Sequence, residues 1–144
     1  MELGTFGAVF NAAIEIETHL AQRYDAQSAN HTGEVQDAYR ALAKGSEKRL
    51  KRLERVRRET VTEMILEPIR DLRLSDDLAA LADIDSSAPL SPADAHQLEL
   101  SAGAFYDKAA KKIGLAEAAR ALHRLGKENL KRAERLQQIP PKHV

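Results

Sequence analysis

LGKENLKRAERL, Leu125–Leu136, repeats a stretch met earlier in the same chain, LAKGSEKRLKRL, Leu42–Leu53. Six of the twelve superposed positions agree: Leu42 with Leu125, Lys44 with Lys127, Lys48 with Lys131, Arg49 with Arg132, Arg52 with Arg135 and Leu53 with Leu136. The apolar positions recur at helical spacing, yet each copy sets an arginine, Arg49 or Arg132, on the stripe that should face inward. A second match lies upstream of each copy. Ala13, Glu17, Tyr24 and Asp25 precede Ala95, Glu99, Tyr106 and Asp107 by 82 residues, and the basic stretches are 83 apart. Two matches in one order at nearly one offset describe a duplicated helical hairpin.

Periodicity supplies four helices. The first, about 2–29, aligns Phe6, Phe10, Ala13, Glu17, Leu20 and Tyr24 on one stripe. The second, about 33–61, aligns Val35, Tyr39, Leu42, Ser46, Arg49, Leu50, Leu53 and Val56. The third opens at Ser91-Pro92-Ala93-Asp94, a serine cap followed by proline at the first helical position and an acid at the third. It runs to Lys112 with Ala95, Leu98, Glu99, Ala102, Phe105 and Tyr106 facing in, and Gly114 stops it. The fourth, about 115–138, uses Ala118, Leu122, Leu125, Asn129, Arg132 and Leu136, and Pro140-Pro141 ends it.

The connections order these helices. Asn30–Thr32 and Gly114 are short, so each pair forms an antiparallel hairpin. Between the pairs, about 62–90, lies a stretch with Pro68, Pro89 and acids at Asp71, Asp76, Asp77, Asp83 and Asp85, long enough to cross the bundle and to hold a short helix near Asp76–Leu81. The expectation is an all-α four-helix bundle over 1–139: hairpin 1 (about 2–61), one long crossover (about 62–90), hairpin 2 (about 91–138), then a short tail, 140–144.

Composition narrows the chemistry. The chain has 144 residues and no cysteine, which excludes thiolate catalysis, CxxC redox chemistry and cysteine-ligated metal. Lys and Arg number 22 and so do Asp and Glu, so no bulk positive charge points to nucleic acid. No apolar run approaches the ~18 residues of a membrane span, and the N-terminus lacks the features of a signal peptide. A cytoplasmic protein with no membrane partner is expected.

Six polar residues fall on stripes that should be apolar: Glu17, Ser46, Arg49, Glu99, Asn129 and Arg132. Buried ions cost several kcal/mol unless partnered, so their coincidence needs a cause. The sequence resembles the rubrerythrin-type members of the ferritin-like superfamily over nearly its whole length. That family places a Glu seven residues before a Tyr on its first and third helices, as Glu17…Tyr24 and Glu99…Tyr106 do here. Its second and fourth helices carry Glu-x-x-His, and the six ligands hold two metals. In those places this chain has Ser46-x-x-Arg49 and Asn129-x-x-Arg132, the latter followed by Ala133-Glu134-Arg135-Leu136. What the resemblance implies is a ferritin-like bundle that keeps half of a di-metal site. The other half is lost from both helices in parallel. With no cysteine, the rubredoxin-type domain of rubrerythrins proper is not expected either.

Charge makes the loss coherent. Four carboxylates with two imidazoles need two divalent cations, whereas two carboxylates with two guanidiniums need none. Arginine stays protonated, cannot ligate a cation, and offers a fork suited to carboxylates. Arg49 and Arg132 are therefore expected to fill the metal volume and pair with Glu17 and Glu99, with Ser46, Asn129 and a tyrosine hydroxyl satisfying remaining donors.

Each reading has a plainer rival. Glu17 and Glu99 could sit at the edges of their stripes, Arg49 and Arg132 could snorkel to solvent, and Tyr24 and Tyr106 could be ordinary core aromatics. A shifted ligand set, Glu47, His96, Glu99 and Glu128, could hold iron or another divalent metal and support oxidase or iron-handling chemistry. His19, His31, His123 and His143 show no ligand spacing and are read as surface residues. The basic run Lys44–Arg58 and its repeat could bind phosphate or nucleic acid. The rival there is a solvated face paired with Glu54, Glu59 and Glu134. The expected function is a non-catalytic interaction or structural role with no cofactor, as a homo-oligomer or with an unidentified protein partner. Met64-Ile65-Leu66 and Ile69 are the apolar residues offered for such contacts.

Overall fold

A computed structural model describes residues 6–66, 88–113 and 116–139, and among these residues there is helix and short connection but no strand. The helices are α1 (Phe6–Ser28), α2 (Gly33–Leu66), α3 (Pro92–Lys112) and α4 (Ala116–Gln137). None is long and apolar enough to cross a membrane.

Local chemistry accounts for the helix ends. Gly33 begins α2 at φ +62°, a left-handed conformation that a side chain disfavours. The Gln36 side chain reaches back across the turn and donates to the Ser28 carbonyl at 3.0 Å, which also accepts from the His31 backbone N–H at 3.4 Å, so this acceptor at the end of α1 is satisfied. Ser91 caps α3 with a full capping box. Its hydroxyl accepts from the Asp94 backbone at 3.1 Å, and the Asp94 carboxylate accepts from the Ser91 backbone at 3.3 Å. α3 ends at Ile113, whose extended backbone breaks the helix and whose side chain is buried.

One boundary differs from the sequence expectation. α2 continues through Leu66 instead of ending at 61, so Met64-Ile65-Leu66 belongs to the helix and not to the crossover. The β-branched run Thr60-Val61-Thr62 costs only tenths of a kcal/mol per residue, too little to stop a helix, whereas Pro68 restricts the residue before it. The rest of the expected crossover up to residue 87 lies outside the described residues, with Ile69, its acids and the short helix near Asp76–Leu81. So do Gly114, Leu115, residues 1–5 and the tail at 140–144.

Contacts across the bundle give the helix directions. Tyr24 meets Glu99 while Tyr106 meets Glu17, so α1 and α3 run antiparallel. Arg49 meets Asn129 while Arg132 meets Leu42, so α2 and α4 do the same. The core includes Phe10, Leu20, Tyr24, Tyr39, Leu53, Phe105, Tyr106 and Leu122, all fully buried or nearly so. Val35, Leu50, Val56 and Leu98, expected inside, are half-buried.

The segment entering α3 is tied back to the first hairpin. The Gln27 amide donates to the Ala88 carbonyl at 2.9 Å and accepts from the Leu90 backbone at 3.0 Å. The Tyr39 hydroxyl donates to the Leu90 carbonyl at 2.6 Å, and His31 contacts the same oxygen at 3.2 Å while packing edge-on against the Tyr39 ring. His31 therefore joins the two hairpins, and its reading as a surface residue is corrected. This lock sets the level at which α3 starts, and hence the level of Glu99.

Candidate functional site

Glu17, Ser46, Arg49, Glu99, Asn129 and Arg132 are all buried at the centre of the bundle. Arg49 is 3% exposed and Arg132 9%, so neither snorkels. Each arginine pairs with the glutamate of its own hairpin: Arg49 Nη2 lies 3.4 Å from Glu17 Oε2, and Arg132 Nε lies 3.4 Å from Glu99 Oε1.

The tyrosines cross between hairpins. Glu17 and Tyr24 are two helical turns apart, roughly 10 Å along the axis, too far for a hydrogen bond within one helix. Antiparallel packing solves this by exchange. The Tyr24 hydroxyl donates to Glu99 Oε2 at 2.5 Å, and the Tyr106 hydroxyl donates to Glu17 Oε2. Hydrogen bonds from a hydroxyl to a carboxylate are charge-assisted. The hydroxyls thus feed the carboxylates and not the guanidiniums, which departs from the sequence expectation.

The arginines also reach across. Arg49 Nη2 donates to Asn129 Oδ1 at 2.7 Å and to the Leu125 carbonyl at 3.3 Å. Arg132 Nη2 donates to Ser46 Oγ and to the Leu42 carbonyl, both at 3.0 Å. Each guanidinium then lies over the tyrosine of the opposite hairpin, Arg49 5.5 Å from the Tyr106 ring centroid and Arg132 5.9 Å from that of Tyr24. Each of these contacts has its mate at the duplicated position, so the network is close to two-fold symmetric.

The symmetry is incomplete: Arg49 Nε also lies 3.9 Å from Glu128 Oε1, whose duplicated position is Gly45. Asn129 donates its amide to Glu99 Oε1 at 2.7 Å, but Ser46, its counterpart, has no second donor, and Glu17 Oε1 is left without a hydrogen-bond partner. Room for the asparagine comes from Gly103, where a Cβ would stand 3.1 Å from Asn129 Cβ.

Electrostatics follow from burial. Desolvation and then the Glu99 carboxylate push the Tyr24 hydroxyl well above its ordinary pKa, and desolvation with Glu17 does the same for Tyr106. Tyr39 is raised too, by burial and then Asp94. Burial opposes the charge on Arg49, but Glu17, Tyr106, Glu99 and Glu128 outweigh it and hold the guanidinium above its ordinary value. The site is thus an internally balanced set of two carboxylates and two guanidiniums, with phenols that keep their protons.

The shifted metal-ligand set does not converge. Glu47 is exposed, His96 is held by the Ala133 carbonyl at 2.9 Å, and Glu99 belongs to the buried network. Glu128 is engaged by Arg52, with two contacts at 3.3 Å, and by Arg124 at 3.5 Å. Among the described residues no group of three or more His, Cys, Asp or Glu could hold a metal ion. On the basic helices, Glu128 is the acid that pairs with arginine, whereas Glu54, Glu59 and Glu134 make no ion pair among the described residues. His19 is half-buried with no hydrogen bond at Nδ1, His123 lies 3.8 Å from Asp107, and His143 is outside the described residues. Comparison with family models, curated proteins and solved structures returns no match.

Three outcomes are expected. Arg132→Met strands the Glu99 carboxylate and lowers unfolding free energy by about 3–5 kcal/mol. Adding Glu99→Gln recovers much of that loss, and urea unfolding of both variants measures it. Ser46→Asn offers Glu17 Oε1 the amide that Asn129 gives Glu99, and should raise stability by about 0.5–1.5 kcal/mol in the same assay; a loss would mean the first hairpin has no room for it. The third concerns pH. Because all three tyrosines have folded pKa values above the unfolded value of about 10, their contribution to stability is complete below that pH. It is lost as pH rises beyond it, by up to about 1.4 kcal/mol per unit per tyrosine. Tyrosinate absorbance should then appear together with unfolding. A titration near pH 10 with the fold intact would contradict the buried hydroxyls.

Proposed function

We propose that this chain is a ferritin-like four-helix protein, two hairpins joined by a long crossover, in which a Glu/Arg network stands where relatives of that architecture hold a di-metal site. Its role in this reading is interaction or structure, without a catalytic residue or a cofactor, in a homo-oligomer or with another protein. A single observation carries the proposal. Glu17 and Glu99 approach the bundle centre from α1 and α3, and Arg49 and Arg132 meet them there from α2 and α4. Those are the helices and levels from which the family's carboxylates and Glu-x-x-His pairs would converge. The exchange of tyrosines and the duplicated contacts support it, since a chance polar core has no reason to be two-fold symmetric.

The physical consequence is a core that is electrically complete without a cation. A divalent ion added beside Arg49 and Arg132 would meet two positive charges and only two carboxylates, both already accepting hydrogen bonds. Redox chemistry with dioxygen or peroxide has no foothold on such a set.

Elemental analysis tests the reading. Protein purified without chelator or affinity tag, then challenged anaerobically with Fe(II), Mn(II) and Zn(II), should carry substoichiometric metal throughout. One or two tightly held ions per chain would sink the proposal. Restoring Glu-x-x-His on both helices, with Ser46→Glu, Arg49→His, Asn129→Glu and Arg132→His together, should bring metal binding back.

A further inference from the structure

Behind the buried network, α2 and α4 leave a cavity of about 320 Å³ between them. Its walls carry six basic side chains, Lys48, Arg49, Arg52, Lys131, Arg132 and Arg135, against one acid, Glu128. Each basic residue on α2 has its duplicate on α4, so the cavity straddles the two-fold relation of the hairpins.

Local carboxylates do not cancel this charge. Glu17 and Glu99 balance Arg49 and Arg132, and Glu128 balances Arg52. Lys48, Lys131 and Arg135 are exposed and make no ion pair among the described residues. Arg49 and Arg132, both buried, also line the cavity beside these exposed cations. Ala38, Ala41, Leu42 and Leu136 supply an apolar wall beside the charges.

We infer that the cavity between α2 and α4 is a binding site for a small phosphorylated molecule, its phosphate held among Lys48, Lys131 and Arg135. Size and charge select this class. The volume is that of a small-molecule pocket, and three uncompensated cations suit a phosphate monoester or diphosphate carrying about two to three negative charges. Arginine forks match phosphate oxygens in pairs. A polynucleotide is disfavoured, because the charge is gathered at one half-open cavity and, among the described residues, no aromatic lines it. The inference does not depend on ferritin-like ancestry, since it uses only the present walls of the cavity.

The test is calorimetric titration of the full chain with inorganic pyrophosphate at low ionic strength, repeated on Arg135→Ala, Lys131→Ala and Lys51→Ala. All three residues are exposed, and Lys51 does not line the cavity. Saturable binding at one site per chain is expected. Arg135→Ala and Lys131→Ala should each weaken it about tenfold, and Lys51→Ala, which removes the same charge elsewhere, by no more than about twofold. Absence of saturable binding overturns the proposal, as does an equal loss in all three variants, which would report only a diffuse field. Tighter binding of a short single-stranded RNA than of pyrophosphate overturns it in favour of a polynucleotide surface. Metal analysis is a separate readout, so this site and the reading of the buried core can fail independently.

Discussion

Two buried guanidinium–carboxylate pairs, held by tyrosines from the opposite hairpin, constrain everything else in this bundle. Four ionised groups in a core are tolerable only if each finds its partners in one arrangement. Glu17 needs Arg49 and Tyr106, and Glu99 needs Arg132, Tyr24 and Asn129. Sliding one hairpin along the other by a turn, about 5.4 Å, would keep the Glu–Arg pairs but strand the tyrosine hydroxyls and the arginine contacts to Asn129, Ser46 and the opposite backbone. The network therefore selects a register and a facing more than it adds stability. An apolar core of the same volume would serve stability as well. The Gln27, Tyr39 and His31 contacts to Ala88 and Leu90 fix the same register from the end of the bundle.

Duplication explains why the arrangement closes on itself. A hairpin that offers one glutamate, one tyrosine and one arginine can pair the two ions but leaves the tyrosine hydroxyl and most guanidinium donors without acceptors. Paired antiparallel with its copy, it exchanges tyrosines and arginine contacts across the seam. The exception is instructive: Ser46 replaces what is asparagine in the second copy, and one carboxylate oxygen, Glu17 Oε1, is left unpartnered. The copies have also diverged in packing. Gly103 and Gly126 let α3 and α4 approach closely, with a Cβ at Gly126 only 3.3 Å from the Gly103 carbonyl, whereas Ala21 and Ala43 occupy the duplicated positions in hairpin 1.

The same arginines that close the core also line the cavity between α2 and α4, and this links the core to the surface. Arg49 and Arg132 spend Nη2 on the opposite hairpin, and both residues line that cavity. There the exposed members of the basic repeat, Lys48, Lys131 and Arg135, gather around them. A residue pattern that looks redundant along the chain becomes one concentrated field across it.

Much of this was legible in the chain. Helical periodicity identified the inward stripes, because apolar residues must share a face to leave water. Glu17, Ser46, Arg49, Glu99, Asn129 and Arg132 stood out as polar residues on those stripes, and all six are buried. The Ser91–Asp94 cap was readable because its chemistry is local. The exit of α2 was misread, since weak propensities do not stop a helix where no breaker stands. The exchange of tyrosines had a signal in the seven-residue spacing from Glu17 to Tyr24, which no single helix can bridge. But choosing the acceptor required knowing that α1 and α3 run antiparallel. Glu128 stands in the sequence as a rival metal ligand and the basic run as a candidate phosphate surface, but the meeting of the two basic helices in one cavity had no signal. Each basic helix alone is a solvated face, and only the approach of α2 to α4 turns two such faces into a site. The sequence by itself determined what each helix buries, because burial follows from spacing along one element. Tertiary structure alone decided which donor meets which acceptor across the hairpins, because partners 75 to 90 residues apart are chosen by the direction and register of helices, and those are properties of the packed whole.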